Sequence, residues 1–202
     1  MRILVAEDDP VIGLGLVERL GQLGHEAVGP VPDGIQAVER AHREQLDLYL
    51  FDINMPRLDG LAAAERLAAD GLRRPIVVIT GVDDPGLVDR SIATGVGAYL
   101  TKPIDDRELD AAIRLAASRH AELLALESEV SRAQQALEDR KMVERAKALL
   151  MQSLGLSEPE AFRRIQQAAR NRNLRLADVA RSVLAQQDII RRPADEDDAG
   201  TR

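Results

Sequence analysis

Cysteine and tryptophan are absent from the 202 residues, and only two Tyr and two Phe are present. Without thiols the chain has no disulfides, no thiolate metal ligands and no Cys nucleophile. With so few rings, the core must be built from Ala, Leu, Val and Ile, and platforms for stacking nucleobases are scarce. Long apolar runs are missing as well. No stretch reaches membrane-spanning length, and the opening MRILVAEDD passes from a short strand into acids rather than into the apolar core of a signal peptide. A cytoplasmic protein with no membrane partner is expected.

What is present is divided by charge. The net charge of -7 combines 11 Lys/Arg against 20 Asp/Glu in residues 1–110 with 10 Lys/Arg against 4 acids in residues 140–182. Opposite signs in the two halves suggest a cation site in the first and a polyanion or acidic partner for the second.

The first half alternates apolar strands with helices. Strands are expected at Arg2 to Ala6, Glu26 to Val31, within Leu46 to Ile53, at Pro75 to Thr80 and at Gly97 to Leu100. Helices are expected from Pro10, from Asp33-Gly34, over 61–69 and over about 85–94. Crossovers of this length imply a doubly wound, five-stranded parallel sheet of the α/β class. From Ile104 no breaker appears before Gly155. Within that stretch Leu123, Leu126, Val130, Ala133 and Leu137 alternate at spacings of three and four, a heptad seam that suits a dimer better than a helix lying on its own domain. Three short helices are expected to follow, over about 141–153, 157–170 and 174–187. Ser157-Glu158-Pro159-Glu160 is a helix start with the makings of a capping box. The domains are thus read as 1–118, a coiled-coil linker helix at 119–140, a small all-α three-helix domain at 141–190, and a disordered acidic tail at 191–202.

The chemistry lies at the strand ends. Strand one delivers Glu7 and Asp8, strand three Asp52, strand four Thr80 and strand five Lys102. In an open parallel sheet, ligands bind beyond the carboxyl ends of the strands. If strands one and three are neighbours, three carboxylates converge, and at ~4 Å two such charges repel by about 4 kcal/mol at an effective dielectric of 20. A cation is needed there, and hard oxygen ligands that leave room for a phosphate oxygen favour Mg2+. Lys102 and Thr80 suit the same phosphate, which makes Asp52 the candidate nucleophile for phosphoryl transfer.

The motifs EDD after strand one, DINMPRLDG around Asp52, Thr80-Gly81, and Tyr99-Leu100-Thr101-Lys102-Pro103 together resemble a response-regulator receiver domain of bacterial two-component systems, a flavodoxin-like fold. The resemblance implies that Asp52 accepts phosphate from a histidine kinase. It also implies that Asp8 and Asp52 bind Mg2+ directly, Glu7 through water, and Asn54 through its main-chain carbonyl. Thr80 and Tyr99 resemble the family's switch pair, Lys102 would pair with the phosphoryl group, and the Lys102-Pro103 bond is expected to be cis. Such a protein is a phosphoryl acceptor, not an enzyme beyond slow self-catalysed phosphoryl transfer and autodephosphorylation.

The second half resembles an ANTAR domain, the output of transcription antitermination regulators, through ALEDRKMVERAKALLM, GLSEPEAFRRIQQAAR and LADVARSVL. The resemblance implies binding to hairpin RNA in nascent transcripts, as a homodimer promoted by phosphorylation. Candidate RNA contacts are Lys147, Arg163, Arg164, Arg170, Asn171 and Arg172, whereas Phe162 is read as core. Two other readings stay open, a DNA-binding regulator and a phosphorylated protein-interaction scaffold. The segment from Leu174 to Gln187 carries few side chains that could read base edges, which weighs against DNA.

Overall fold

A computed structural model describes residues 1–81 and 95–191. The helix expected over 85–94 and nearly all of the tail expected at 191–202 lie outside the described residues. Five strands, β1 (Arg2–Ala6), β2 (Glu26–Val31), β3 (Leu48–Asp52), β4 (Ile76–Thr80) and β5 (Ala98–Thr101), form one parallel sheet in the order β2-β1-β3-β4-β5. Three helices lie between the first four strands: α1 (Pro10–Gln22), α2 (Gly34–Arg43) and α3 (Gly60–Ala69).

The apolar runs of the central strands divide by twos between the two faces, because successive side chains of a strand point oppositely. Leu4, Ala6, Tyr49, Phe51 and Val78 pack on one face with Ala37 and Val38 of α2 and Leu61 and Leu67 of α3. Ile3, Val5, Leu48, Leu50, Val77 and Ile79 pack on the other with Leu16 and Leu20 of α1 and Leu109 and Ile113 of the helix that follows β5. Each fully buried Leu, Ile or Val contributes about 1.5–3 kcal/mol. Covering both faces is what makes β3 an unbroken apolar run up to Asp52.

That following helix, α4, runs from Asp106 to Leu154, 49 residues. The separate short helix expected over 141–153 is therefore a continuation of the linker helix. The physical reason is plain in retrospect. Neither Gly nor Pro interrupts the segment, Ala, Leu, Glu and Arg favour helix throughout, and the polar residues that end the heptad seam are no obstacle to helical backbone. Gly155, with φ +63°, ends it.

Two compact units divide within α4, Met1–Ala125 and Leu126–Arg202. In the second, α5 (Glu158–Arg172) and α6 (Leu176–Arg191) pack with the last turns of α4 around Ala146, Ile165, Ala169, Val179 and Ala180. Glu160 reaches back to accept from the Ser157 N–H at 2.9 Å, as the sequence motif foretold. Between the units' cores, residues 121–138 are exposed without interruption.

Candidate functional site

Because β1 and β3 are neighbours, their carboxyl ends bring Glu7, Asp8 and Asp52 together, with one oxygen from each within 4.8 Å of the others. Glu7 and Asp52 are buried and Asp8 is exposed. The next acid, Asp9, serves elsewhere, since it caps α1 by accepting from the N–H groups of Val11 and Ile12 at 2.8 and 3.2 Å.

Lys102 reaches this group from the β4–β5 side of the sheet. Thr80 pairs with Thr101 in register, and the Lys102 N–H donates to the Thr80 carbonyl at 2.8 Å, so the lysine emerges one residue past the strand end. Its Nζ donates to Glu7 at 3.1 and 2.9 Å and to Asp52 Oδ2 at 2.9 Å. Burial opposes the charge on Lys102, yet the hydrogen bonds and charges of Glu7 and Asp52 outweigh it and hold its pKa above the lysine range. Burial pushes the Glu7 carboxyl up, assisted by the charge on Asp52 and only partly offset by Lys102. The Lys102-Pro103 bond is cis, as the resemblance implies.

The loop after Asp52 is fixed on both sides. A Cβ at position 60 would stand 2.1 Å from the Asp52 carbonyl oxygen, so only glycine lets α3 start there. The Gly60 N–H donates to the Ile53 carbonyl at 3.1 Å. On the far side, Arg57, in a left-handed conformation at φ 67°, pairs with the buried Asp33 that caps α2. Asn54 turns its N–H toward Asp52 Oδ1 at 3.4 Å. Thr80 is buried at the end of β4, whereas Tyr99 on β5 is 53% exposed, outside the acidic cluster.

The donor set suits a hard divalent cation, being three carboxylates, one open to solvent and the other two paired with the single ammonium of Lys102, which leaves the group net negative. Chemically, it is a strand-end carboxylate held next to a cation and at the end of a neighbouring strand that carries a buried hydroxyl residue. Such a group can take up a phosphoryl group.

In the second unit, Arg163, Arg164, Arg170, Asn171 and Arg172 are all exposed; on α5 Arg163 and Arg170 lie opposite the buried stripe of Ala161, Ile165 and Ala169, Arg164 and Asn171 lie on its flank, and Arg172 follows on the stripe's own side in the last turn. Lys147 differs from them. Its side chain is 10% exposed, its Nζ is paired with Glu144 at 2.9 Å and Glu158 at 2.7 Å, and it stands 5.8 Å from the Phe162 ring centroid. An ammonium so enclosed ties α4 to the start of α5 and is a poor surface contact, which corrects its place among the RNA candidates. The cause is Glu158, which the Gly155 turn brings back onto α4. Phe162 is corrected too, being half-buried and outside the central apolar cluster of the unit. Arg140 and Arg175, which sequence reasoning passed over, line a cleft beside it.

The response-regulator receiver-domain family matches residues 3–114, and the ANTAR-domain family matches residues 131–184. The transcriptional regulatory protein PdtaR of Mycobacterium tuberculosis H37Rv is 45% identical over 183 residues, covering 91% of this chain and 89% of that protein. The response regulator protein PmrA of Pseudomonas aeruginosa is 37% identical over 114 residues, covering 56% of this chain and 51% of that protein. Among solved structures, the receiver domain of a modulated diguanylate cyclase from Desulfovibrio desulfuricans superposes with a TM-score of 0.55 at 32% identity, over 60% of this chain and 97% of that one. The receiver domain of the sensor histidine kinase PA1611 from Pseudomonas aeruginosa, solved with magnesium coordinated in its active-site cleft, does so with a TM-score of 0.51 at 35% identity, over 57% of this chain and 96% of that one.

Proposed function

This chain belongs to the response regulators that join a receiver domain to an ANTAR domain, and from that premise we propose that Asp52 is phosphorylated by a histidine kinase and that the product binds hairpin RNA as a transcription antiterminator. The observation that carries the phosphorylation half is Lys102, whose ammonium bridges Glu7 and Asp52 at the carboxyl edge of the sheet. In this reading a carboxylate oxygen of Asp52 attacks the phosphorus of the kinase's phosphohistidine, the P–N bond breaks, and an acyl phosphate forms. Glu7, Asp8, Asp52 and the Asn54 carbonyl would hold Mg2+, which supplies charge neutralisation for the phosphoryl oxygens. The magnesium in the PA1611 receiver supports that assignment.

The phosphoryl group adds roughly 1.5 to 2 negative charges and three acceptor oxygens. Lys102, already at Asp52 Oδ2, would pair with it, and the Thr80 hydroxyl would donate to it. Tyr99, exposed on β5, is the residue expected to turn inward as Thr80 moves.

The output half rests on the ANTAR match and on the exposed basic residues of α5. A homodimer through Leu123, Leu126, Val130 and Leu137 would present two such faces, and these side chains are between 50% and 59% exposed at heptad spacing in the single chain. The chain acts as a phosphoryl acceptor whose own catalysis extends at most to slow transfer and autodephosphorylation. No helix among the described residues is long and apolar enough to cross a membrane.

Fluorescence anisotropy of a double-hairpin RNA, with and without acetyl phosphate and Mg2+ and beside Asp52→Ala, tests both halves. Affinity is expected to rise on phosphorylation, and that rise is expected to vanish in the variant. Binding of duplex DNA with no binding of hairpin RNA would overturn the output reading.

A further inference from the structure

Phe162 is the only aromatic residue after position 99. A lone ring in a helical unit is expected at the centre of its core, where it buries the most apolar area. Here the unit's central cluster is made of Ala146, Ile165, Ala169, Val179 and Ala180 and leaves Phe162 out. The ring instead lines a cleft of about 350 Å³ whose walls come from three elements: Arg140, Val143 and Glu144 of α4, Phe162 of α5, and Arg175 before α6. The cleft is shallow and open to solvent, so it offers the ring's face rather than an enclosure.

The charges of the lining narrow the class of ligand. Asp139 and Glu144 face Arg140 and Arg175 in the same cleft, so its formal charge balances. A phosphate site would carry an excess of cations. A nucleobase instead wants an apolar or aromatic face together with both donors and acceptors for its edge. Asp139 accepts from Gln135 and Arg181 through Oδ1, which leaves Oδ2 open, Glu144 keeps lone pairs beyond those that accept from Lys147, and Arg140 has no ion-pair partner among the described residues. Lys147, held by Glu144 and Glu158 and 5.8 Å from the ring centroid, helps to fix the ring in place.

We infer that this cleft is a base pocket: one unstacked base of the RNA enters it, stacks on Phe162, and is read along its edge by Arg140, Arg175 and the two carboxylates. The inference rests on the RNA-binding reading above and gives it a specific subsite. Recognition would then combine sequence-independent contacts from the α5 face with one stacked, edge-read base.

The test uses the full chain treated with acetyl phosphate and Mg2+. From a pool of tandem hairpin RNAs with randomised loops, the tightest binder is taken and 2-aminopurine is placed at each loop position in turn. One position is expected to be quenched by the wild type and not by Phe162→Leu, whose affinity falls on the order of 10-fold, within the range for loss of one base–aromatic stack. Phe162→Tyr restores both signals. The slope of log affinity against log salt stays the same in Phe162→Leu, since no phosphate contact is lost. Circular dichroism melts separate loss of the ring's face from loss of the fold, because a folded Phe162→Leu that still loses the quench supports the pocket. If Phe162→Leu binds within twofold of the wild type with every probe unchanged, the base pocket is overturned while RNA binding stands. If the pool yields no binder to the wild type, the RNA reading itself fails and the pocket falls with it.

Discussion

Lys102 pairs with two carboxylates at once, and its removal should be felt in both stability and chemistry. Without its ammonium, Glu7 and Asp52 remain buried side by side with no counter-charge. Lys102→Met is expected to lower the unfolding free energy of the receiver by about 2–3 kcal/mol in urea titrations with chelator present, below the roughly 3–5 kcal/mol for stripping one partner from a fully buried pair because the Lys102 side chain keeps 22% exposure. Millimolar Mg2+ should restore part of that loss, and acetyl phosphate should no longer add phosphate mass at a measurable rate. A second residue with an electrostatic signature is His25, whose two ring nitrogens are buried with no hydrogen-bond partner among the described residues. Burial lowers its pKa, the N-terminal charge adds to the effect, and Asp110 opposes it. The native state therefore binds fewer protons than the unfolded chain below the usual histidine range. Stability is complete above about pH 6.5 and declines as pH falls toward the lowered native value. His25→Phe should flatten the receiver's Tm between pH 7 and 5, and a slope equal to that of the wild type would refute this. At this scale the strand-end positions of Glu7, Asp8 and Asp52 were legible in the apolar pattern, whereas their convergence depended on β1 and β3 being neighbours, which only the sheet order supplies. Lys147 and Phe162 were misread because their surroundings depend on where Glu158 and α6 return to α4, a tertiary fact without a local signal.

At the scale of elements, α4 was the least legible part. Its heptad spacing was visible in sequence, but whether the backbone breaks near Lys141 was not, since seam polarity and helix continuity are separate properties. In the structure the seam residues stand on unbroken helix and remain half exposed, Leu126 at 59% and Val130 at 55%. Such exposure in a single chain suits a surface covered by a second copy. The apolar gain is modest, with Ala133 in the middle of the seam and Arg140 and Glu144 at its end. Association has its own entropic cost of several kcal/mol. The dimer is thus expected to be weak and concentration-dependent without phosphate, and tighter with it. Val130→Glu, which sets like charges against each other at the centre of the seam, should leave the receiver folded and abolish the phosphorylated dimer in sedimentation equilibrium. A variant that dimerises as well as the wild type would place the interface elsewhere.

For the whole molecule, the division of charge read from composition has a sharper meaning once partners are assigned. Of the cations in the second unit, Lys141, Lys147 and Arg181 are held by acids of the same unit, whereas Arg164, Arg170 and Arg172 carry no ion pair among the described residues. The local excess of positive charge is therefore concentrated in arginines that are exposed and uncommitted, as a polyanion partner requires. Each phosphate contact releases counterions and adds roughly -0.7 to -0.9 to the slope of log affinity against log salt. Arg164→Ala or Arg170→Ala is expected to weaken hairpin binding about equally across loop sequences and to make the slope shallower by about 0.8. Lys147→Met should behave differently. Its ammonium holds Glu144, Glu158 and the Phe162 ring rather than solvent, so its loss should weaken binding and lower the melting temperature of the second unit while the salt slope stays that of the wild type. Anisotropy titrations at several salt concentrations distinguish the two classes directly. A slope that becomes shallower in Lys147→Met would return that residue to the candidate RNA contacts.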